Sequence, residues 1–252
     1  MQREIDAALL SNPEAPDWAA RVYGKQVFAG AGKSNNGFLG PLERRLAAWV
    51  LPRIPRSVET YHLTLLTPVW SLLIVVFGYF SASNIKWLWM VNLMIVLHYF
   101  TDYFDGKLGK YRDTGLRKWG FYMDHLFDYG FLCSILIGYS FLIPQKSTFN
   151  MMLVLCVFSA FMFHTFLMLA ATDEFKVSFS RFGPTELRIA LIIINICLMK
   201  FGTRGLKGSL PWIAFGGVVA LSILAYIAQS KLWQIDMRIK ETEDQLPNLT
   251  KT

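Results

Sequence analysis

Of 252 residues, 54% are hydrophobic and only 17% are charged, too little charge to cover a soluble domain of this size, so the chain reads as a membrane protein. The net charge of +7 does not indicate nucleic acid, because the basic residues lie between apolar stretches and not on a soluble module. Anionic lipid headgroups and phosphate-bearing substrates are the partners this charge suits.

Residues 1–38 form a polar N-terminal segment without an apolar signal core, expected on the cytoplasmic side. In residues 39–56, Leu42, Leu46, Trp49 and Val50 recur at helical spacing, with Glu43, Arg44 and Arg45 on the other side. This predicts a short amphipathic helix ended by Pro52 and Pro55, either lying in the membrane surface or packed on the protein itself. Residues 57–232 form the membrane domain, with apolar stretches at about 61–81, 86–105, 120–143, 147–172, 184–201 and 210–231. Each is near the roughly 20 residues that span a bilayer as helix. Residues 233–252 form a charged cytoplasmic tail. The predicted fold is therefore all-α, six transmembrane helices preceded by an amphipathic interfacial helix. Cys133, Cys156 and Cys197 all fall within apolar runs and are expected to be reduced core residues.

Basic residues orient the spans. With the N-terminus inside, all of the 25 Lys and Arg except Lys86, Lys146, Lys200, Arg204 and Lys207 fall on the cytoplasmic side, as the positive-inside rule requires. Both termini are then cytoplasmic, in a membrane expected to be a bacterial inner membrane.

The chemistry concentrates in TDYFDGKLGKYRDTGLRKWGFYMDHLFDYG, residues 101–130. Ionisable groups in spanning segments are costly and are paired, wet or functional. Asp102 and Asp105 are spaced i, i+3, and Asp124 and Asp128 i, i+4, so each pair shares a helix face. Two such helices side by side would gather four carboxylates, which repel unless cations neutralise them. Carboxylate oxygens suit hard ions such as Mg²⁺ or Mn²⁺. Gly106 and Gly120 flank the pairs, where a missing Cβ lets the chain turn or a substrate approach. Lys107, Lys110, Arg112, Arg117 and Lys118 lie between them, most of them ordinary loop charge. His62, His98, His125 and His164 are expected to be hydrogen-bonded packing residues, with His98 four residues before Asp102. Asn195 is expected to bond between helices.

The spacing resembles the signature of the CDP-alcohol phosphotransferase family, D-x-x-D-G-x-x-A-R, a spacer, then G-x-x-x-D-x-x-x-D. Here it is carried by Asp102, Asp105, Gly106, Gly120, Asp124 and Asp128, with Gly109 for the usual Ala, Lys110 for the usual Arg, and a spacer at 111–119. Lys110 keeps the charge and loses the bidentate fork of Arg. The resemblance covers about residues 40–232. FGPTELR, residues 182–188, is similar to a Gly-Pro-Thr-Glu segment of choline- and ethanolamine-phosphotransferase-like members. It puts Thr185, Glu186 and Arg188 near the cytoplasmic mouth, within reach of a headgroup or phosphate; a Pro-started helix with an early Glu is the plainer reading. Thr60, His62 and Thr64 begin the first span, where the family often has Pro-Asn and Thr.

The resemblance implies transfer of a substituted phosphate from a CDP-alcohol to an acceptor alcohol, releasing CMP, in phospholipid synthesis. It further implies two Mg²⁺ or Mn²⁺ ions on Asp102, Asp105, Asp124 and Asp128, and Asp128 as metal ligand, proton acceptor or both. Gly106, Lys110 and Gly120 would contact the nucleotide diphosphate. Either donor or acceptor is a lipid, and a homodimer is expected. Two rivals stand beside this reading. An ion-coupled transporter would place its carboxylates near the midplane in paired halves, but the aspartates cluster at one end and no repeat is visible. A non-catalytic membrane homologue is the other, suggested by Gly109 and Lys110.

Overall fold

A computed structural model describes residues 27–28, 31–32, 40–114, 116–172 and 184–249. Most of the N-terminal segment 1–38 and the loop that carries Lys176, Arg181, Phe182 and Gly183 lie outside the described residues. Two-residue strands β1 (Val27–Phe28) and β2 (Ala31–Gly32) pair antiparallel. Seven helices follow among the described residues: α1 (Gly40–Val50), α2 (Thr60–Ser81), α3 (Leu88–Arg112), α4 (Arg117–Ser140), α5 (Thr148–Thr172), α6 (Pro184–Phe201) and α7 (Arg204–Leu249). The six long helices occupy the six apolar stretches. α2, α5 and residues Arg204–Lys240 of α7 are each long and apolar enough to cross a membrane. α3, α4 and α6 bear the charged residues of the motifs and are less uniformly apolar.

The bundle is inside-out by soluble standards. On α2 the buried positions are Thr60, Thr64, Thr67, Ser71, Ile74, Gly78 and Ser81, while Leu65, Leu66, Val69, Leu72 and Val76 face outward. The buried spacing alternates between three and four residues, which lets small side chains bring backbones close. Apolar side chains outside and small or hydroxylated ones inside suit a lipid solvent, where hydrophobicity does not drive helices together. These exposed apolar faces, the family described below and the three apolar helices mark an integral membrane protein. Cys156 and Cys197 are likewise exposed and Cys133 half-buried, all three free, so the expectation of core cysteines is corrected. A small apolar thiol sits comfortably on an apolar exterior.

α2 packs on both α3 and α4, α3 on α6, and α5 on α7. Gly78 and Gly138 make the α2–α4 crossing: a Cβ on Gly78 would lie 2.6 Å from the Gly138 Cα. Pro68 removes an N–H inside α2, and the Thr67 hydroxyl donates to the Thr64 carbonyl (2.6 Å) left without that partner. Deeper in, Asn195 accepts from the Tyr139 hydroxyl (2.8 Å) and donates to the side-chain oxygen Oδ1 of Asn92 (2.7 Å), tying α6 to α4 and α3 as expected of it.

Two elements near the motif differ from expectation. α3 runs on as helix through Gly106 and Gly109 to Arg112, so the chain does not turn at Gly106. It stops at Asp113, in the left-handed region with φ 53°, and only residues 113–116 connect it to α4. In α1 and the turn that follows it, the inward face is Glu43, Ala47 and Leu51, whereas Trp49 is 60% exposed. Glu43, expected on the polar side, is buried. Arg53 instead stacks on Trp49 and donates to its carbonyl, holding that face outward. Ala47 and Leu51 pack with Phe104 and Leu108, and Arg112 donates to the carbonyls of Ile54, Pro55 and Val58. α1 and the turn after it are thus packed on the end of α3. Arg112 is therefore a backbone clamp.

Gly78→Ala is expected to destabilise the bundle by about 1–3 kcal/mol through this overpacking. Gly130→Ala, where nothing lies within 4 Å of the new Cβ, is the neutral control in thermal unfolding.

Candidate metal and phosphate site

The end of α3 and the first half of α4 bring their acidic faces together. One carboxylate oxygen from each of Asp102, Asp124 and Asp128 lies within 4.8 Å of the others. All three residues are half-buried, dry enough to strengthen electrostatics and open enough to be reached. Three hard oxygen donors at this spacing suit a divalent cation.

Asp105 is the exception within the quartet. It is buried, and its Oδ2 accepts a 2.9 Å hydrogen bond from Thr64 of α2. Its Oδ1 accepts from the N–H of Gly106. Thr64 shares its hydroxyl between Asp105 and the Thr60 carbonyl (3.1 Å). The carboxylate thus points towards α2 and stands outside the 4.8 Å group. The buried small-residue face of α2 supplies this hydroxyl directly.

Gly106 is exposed and Gly120 half-buried, and a Cβ built on either meets no atom within 4 Å. Helix packing does not demand glycine at these positions, and each leaves bare backbone on a motif helix. A Cβ on Gly109 would make only ordinary contact with Thr60, at 3.4 Å, so there is room there for the Ala usual in the signature. Lys110 is exposed near the end of α3, and Glu186 is half-buried in the first turn of α6.

Arg188, expected near the cytoplasmic mouth, is packed among side chains near the start of α6. It is buried on α6, with Nη2 2.8 Å from Asp102 Oδ2 and 3.2 Å from Asp128 Oδ1. Its guanidinium sits 5.5 Å from the Phe131 ring centroid and 5.8 Å from that of Tyr99. A third helix therefore joins the two that carry the aspartates. His98 is fully buried against Phe131, its Nδ1 3.4 Å from Arg188 Nη2. His125 Nδ1 lies 2.6 Å from the Phe121 carbonyl oxygen, and His62 accepts from the Glu59 N–H in a capping box.

Sequence reasoning missed Glu43 and Tyr99. Glu43 Oε1 accepts from Tyr99 of α3 (2.8 Å) and from Thr185 of α6 (2.9 Å). Its spacing of four residues from Ala47 was the available signal, because it places Glu43 on the face that Ala47 buries. Thr64 was noticed only for its place in the first span; its pairing with Asp105 needs the α2–α3 crossing.

No curated protein and no solved structure matches the chain significantly. The model of the CDP-alcohol phosphatidyltransferase family matches residues 61–224, which run from the start of α2 into α7 and contain every aspartate of the cluster. The chain belongs to the CDP-alcohol phosphatidyltransferase family.

Proposed function

We propose that this protein transfers a substituted phosphate group from a CDP-alcohol to an acceptor alcohol at the cytoplasmic membrane surface, releasing CMP. The observation that carries the reading is the convergence of Asp102, Asp124 and Asp128 within 4.8 Å on the two helices that bear the family motif. Asp102, Asp124 and Asp128, with Asp105 beside them, would hold Mg²⁺ or Mn²⁺, as two ions, which would supply charge neutralisation at the diphosphate.

The chain's own groups divide the remaining work. Asp128 accepts the proton of the acceptor hydroxyl as that oxygen attacks the phosphorus bearing the donor alcohol. A new P–O ester bond forms, the bond to the CMP oxygen breaks, and CMP leaves with the electron pair. Bare backbone at Gly106 and Gly120 admits the nucleotide closely, and exposed Lys110 contacts its diphosphate. Arg188 lies beside Asp102 and Asp128, within reach of a phosphate, while Thr185 and Glu186 border the headgroup. Thr64 is a positioning residue that orients Asp105 through its hydroxyl.

The six long helices are read as six spans, with termini and site on the cytoplasmic side and a homodimer as the assembly. The donor is either CDP-diacylglycerol with a soluble acceptor such as glycerol phosphate, inositol phosphate or serine, or a small CDP-alcohol such as CDP-choline or CDP-ethanolamine with diacylglycerol. The Pro184–Thr185–Glu186 segment favours the second pairing.

Purified protein with Mg²⁺ or Mn²⁺ is expected to release CMP from one donor in a panel of CDP-alcohols with matched acceptors, and chelation should stop it. Asp128→Asn should lower the rate by about 10²–10⁴-fold. Absence of metal-dependent CMP release from every pair would sink the enzyme reading. Thr64→Val keeps the side-chain shape without the hydroxyl. It is expected to weaken metal-dependent activity by about 10–100-fold at a nearly unchanged melting temperature; wild-type activity in this variant would remove Thr64 from the machinery.

A further inference from the structure

A guanidinium occupies the aspartate cluster where a cation is needed. Arg188 places one nitrogen, Nη2, against both Asp102 Oδ2 (2.8 Å) and Asp128 Oδ1 (3.2 Å). Its guanidinium has the Tyr99 and Phe131 rings within 6 Å, and the residue is only 6% exposed. It places a positive charge directly against two of the three half-buried carboxylates. With it, a divalent ion approaching the same oxygens meets a fixed positive charge at close range, and like charges at such distances repel strongly in a partly dry site.

The placement of Arg188 is itself braced from outside the bundle. Glu43 of α1 accepts from Thr185, three residues before Arg188 on the same helix, and from Tyr99, whose ring the guanidinium faces. Residues three apart on a helix are neighbours on its surface. One buried carboxylate oxygen therefore fixes both the first turn of α6 and the aromatic wall beside the guanidinium. Ala47 of α1 and Leu51 just after it cluster with Phe104 and Leu108 of α3, so the brace rests on a docked helix.

We propose that Arg188 is the resident counter-cation of the aspartate cluster, competing with divalent metal for Asp102 and Asp128, and that Glu43 is the positioning residue holding it there. Arg188 lowers metal affinity in exchange for a tolerable metal-free state, and α1 sets the balance through Glu43. This rests on the metal reading given above.

The test uses the full chain in lipid nanodiscs, with Mn²⁺ as the probe. Free Mn²⁺ is read by electron paramagnetic resonance, and thermal unfolding is followed in chelator and in Mn²⁺. Arg188→Gln is expected to bind Mn²⁺ on the order of tenfold more tightly. It should melt lower than wild type in chelator, with Mn²⁺ restoring most of the loss. Arg188→Lys keeps the charge and should bind Mn²⁺ nearly as wild type does. Glu43→Ala should tighten Mn²⁺ binding by a smaller factor, about two- to fivefold. Glu43→Gln, which retains an acceptor oxygen, should behave as wild type.

Unchanged or weaker Mn²⁺ affinity in Arg188→Gln overturns the counter-cation role. If that variant does not fold, Glu43→Ala decides, and unchanged affinity there overturns the proposal. Equal losses of melting temperature with and without Mn²⁺ in Glu43→Ala would reduce Glu43 to a structural residue. Failure of wild type to bind Mn²⁺ would remove the metal reading along with this one, whereas normal wild-type binding with unresponsive variants removes this inference alone.

Discussion

Negative charge gathered at one end of an apolar bundle is the constraint around which this protein is arranged. Asp102, Asp124 and Asp128 come within 4.8 Å, and Arg188 from a third helix lies against two of them. Arg188 is buried while its carboxylate partners are half-buried, so α3, α4 and α6 are coupled through this point as well as through packing. The helices that supply the charge are those less uniformly apolar, while α2, α5 and α7 provide the length and apolarity to hold the bundle in a membrane.

α2 links the two demands. Its inward face of Thr, Ser and Gly allows close approach to α3 and α4, with Gly78 against Gly138 at the crossing. The same face carries Thr64, whose hydroxyl reaches Asp105. A proline at 68 would leave the Thr64 carbonyl without its helical donor, and Thr67 supplies one. Packing and site geometry therefore draw on a single stripe of small polar side chains. α1 adds a second link from outside, because Glu43 reaches both α3 and α6.

Much of this was legible in the residues alone. Each of the six apolar stretches falls on one of the six long helices, the last of which runs on through the expected tail to Leu249, and Asn195 bonds between helices as expected. Helical spacing on α3 and α4 suffices to bring Asp102, Asp124 and Asp128 together, whereas Asp105 turns to Thr64 of α2. Other features depend on which face turns inward, which hydropathy alone does not decide. Glu43 was assigned to a polar face although Ala47, four residues on, takes it inward. Gly106 allowed either a turn or a close substrate approach, and α3 continues through it to Arg112, whose side chain grips the carbonyls preceding α2. The cysteines were placed inside by a soluble-protein rule that a lipid-facing surface reverses. The pairing of Arg188 with Asp102 and Asp128 was invisible because the helix that carries it must first pack on α3.

The central claim is that the carboxylates of α3 and α4 form a divalent metal site. Crystals of the protein grown with Mn²⁺, measured at the manganese absorption edge, test it directly. The account predicts anomalous density among Asp102, Asp124 and Asp128, with Arg188 displaced from at least one of its two carboxylates. Density elsewhere, or none at these residues with Arg188 still bridging Asp102 and Asp128 at saturating Mn²⁺, would contradict it.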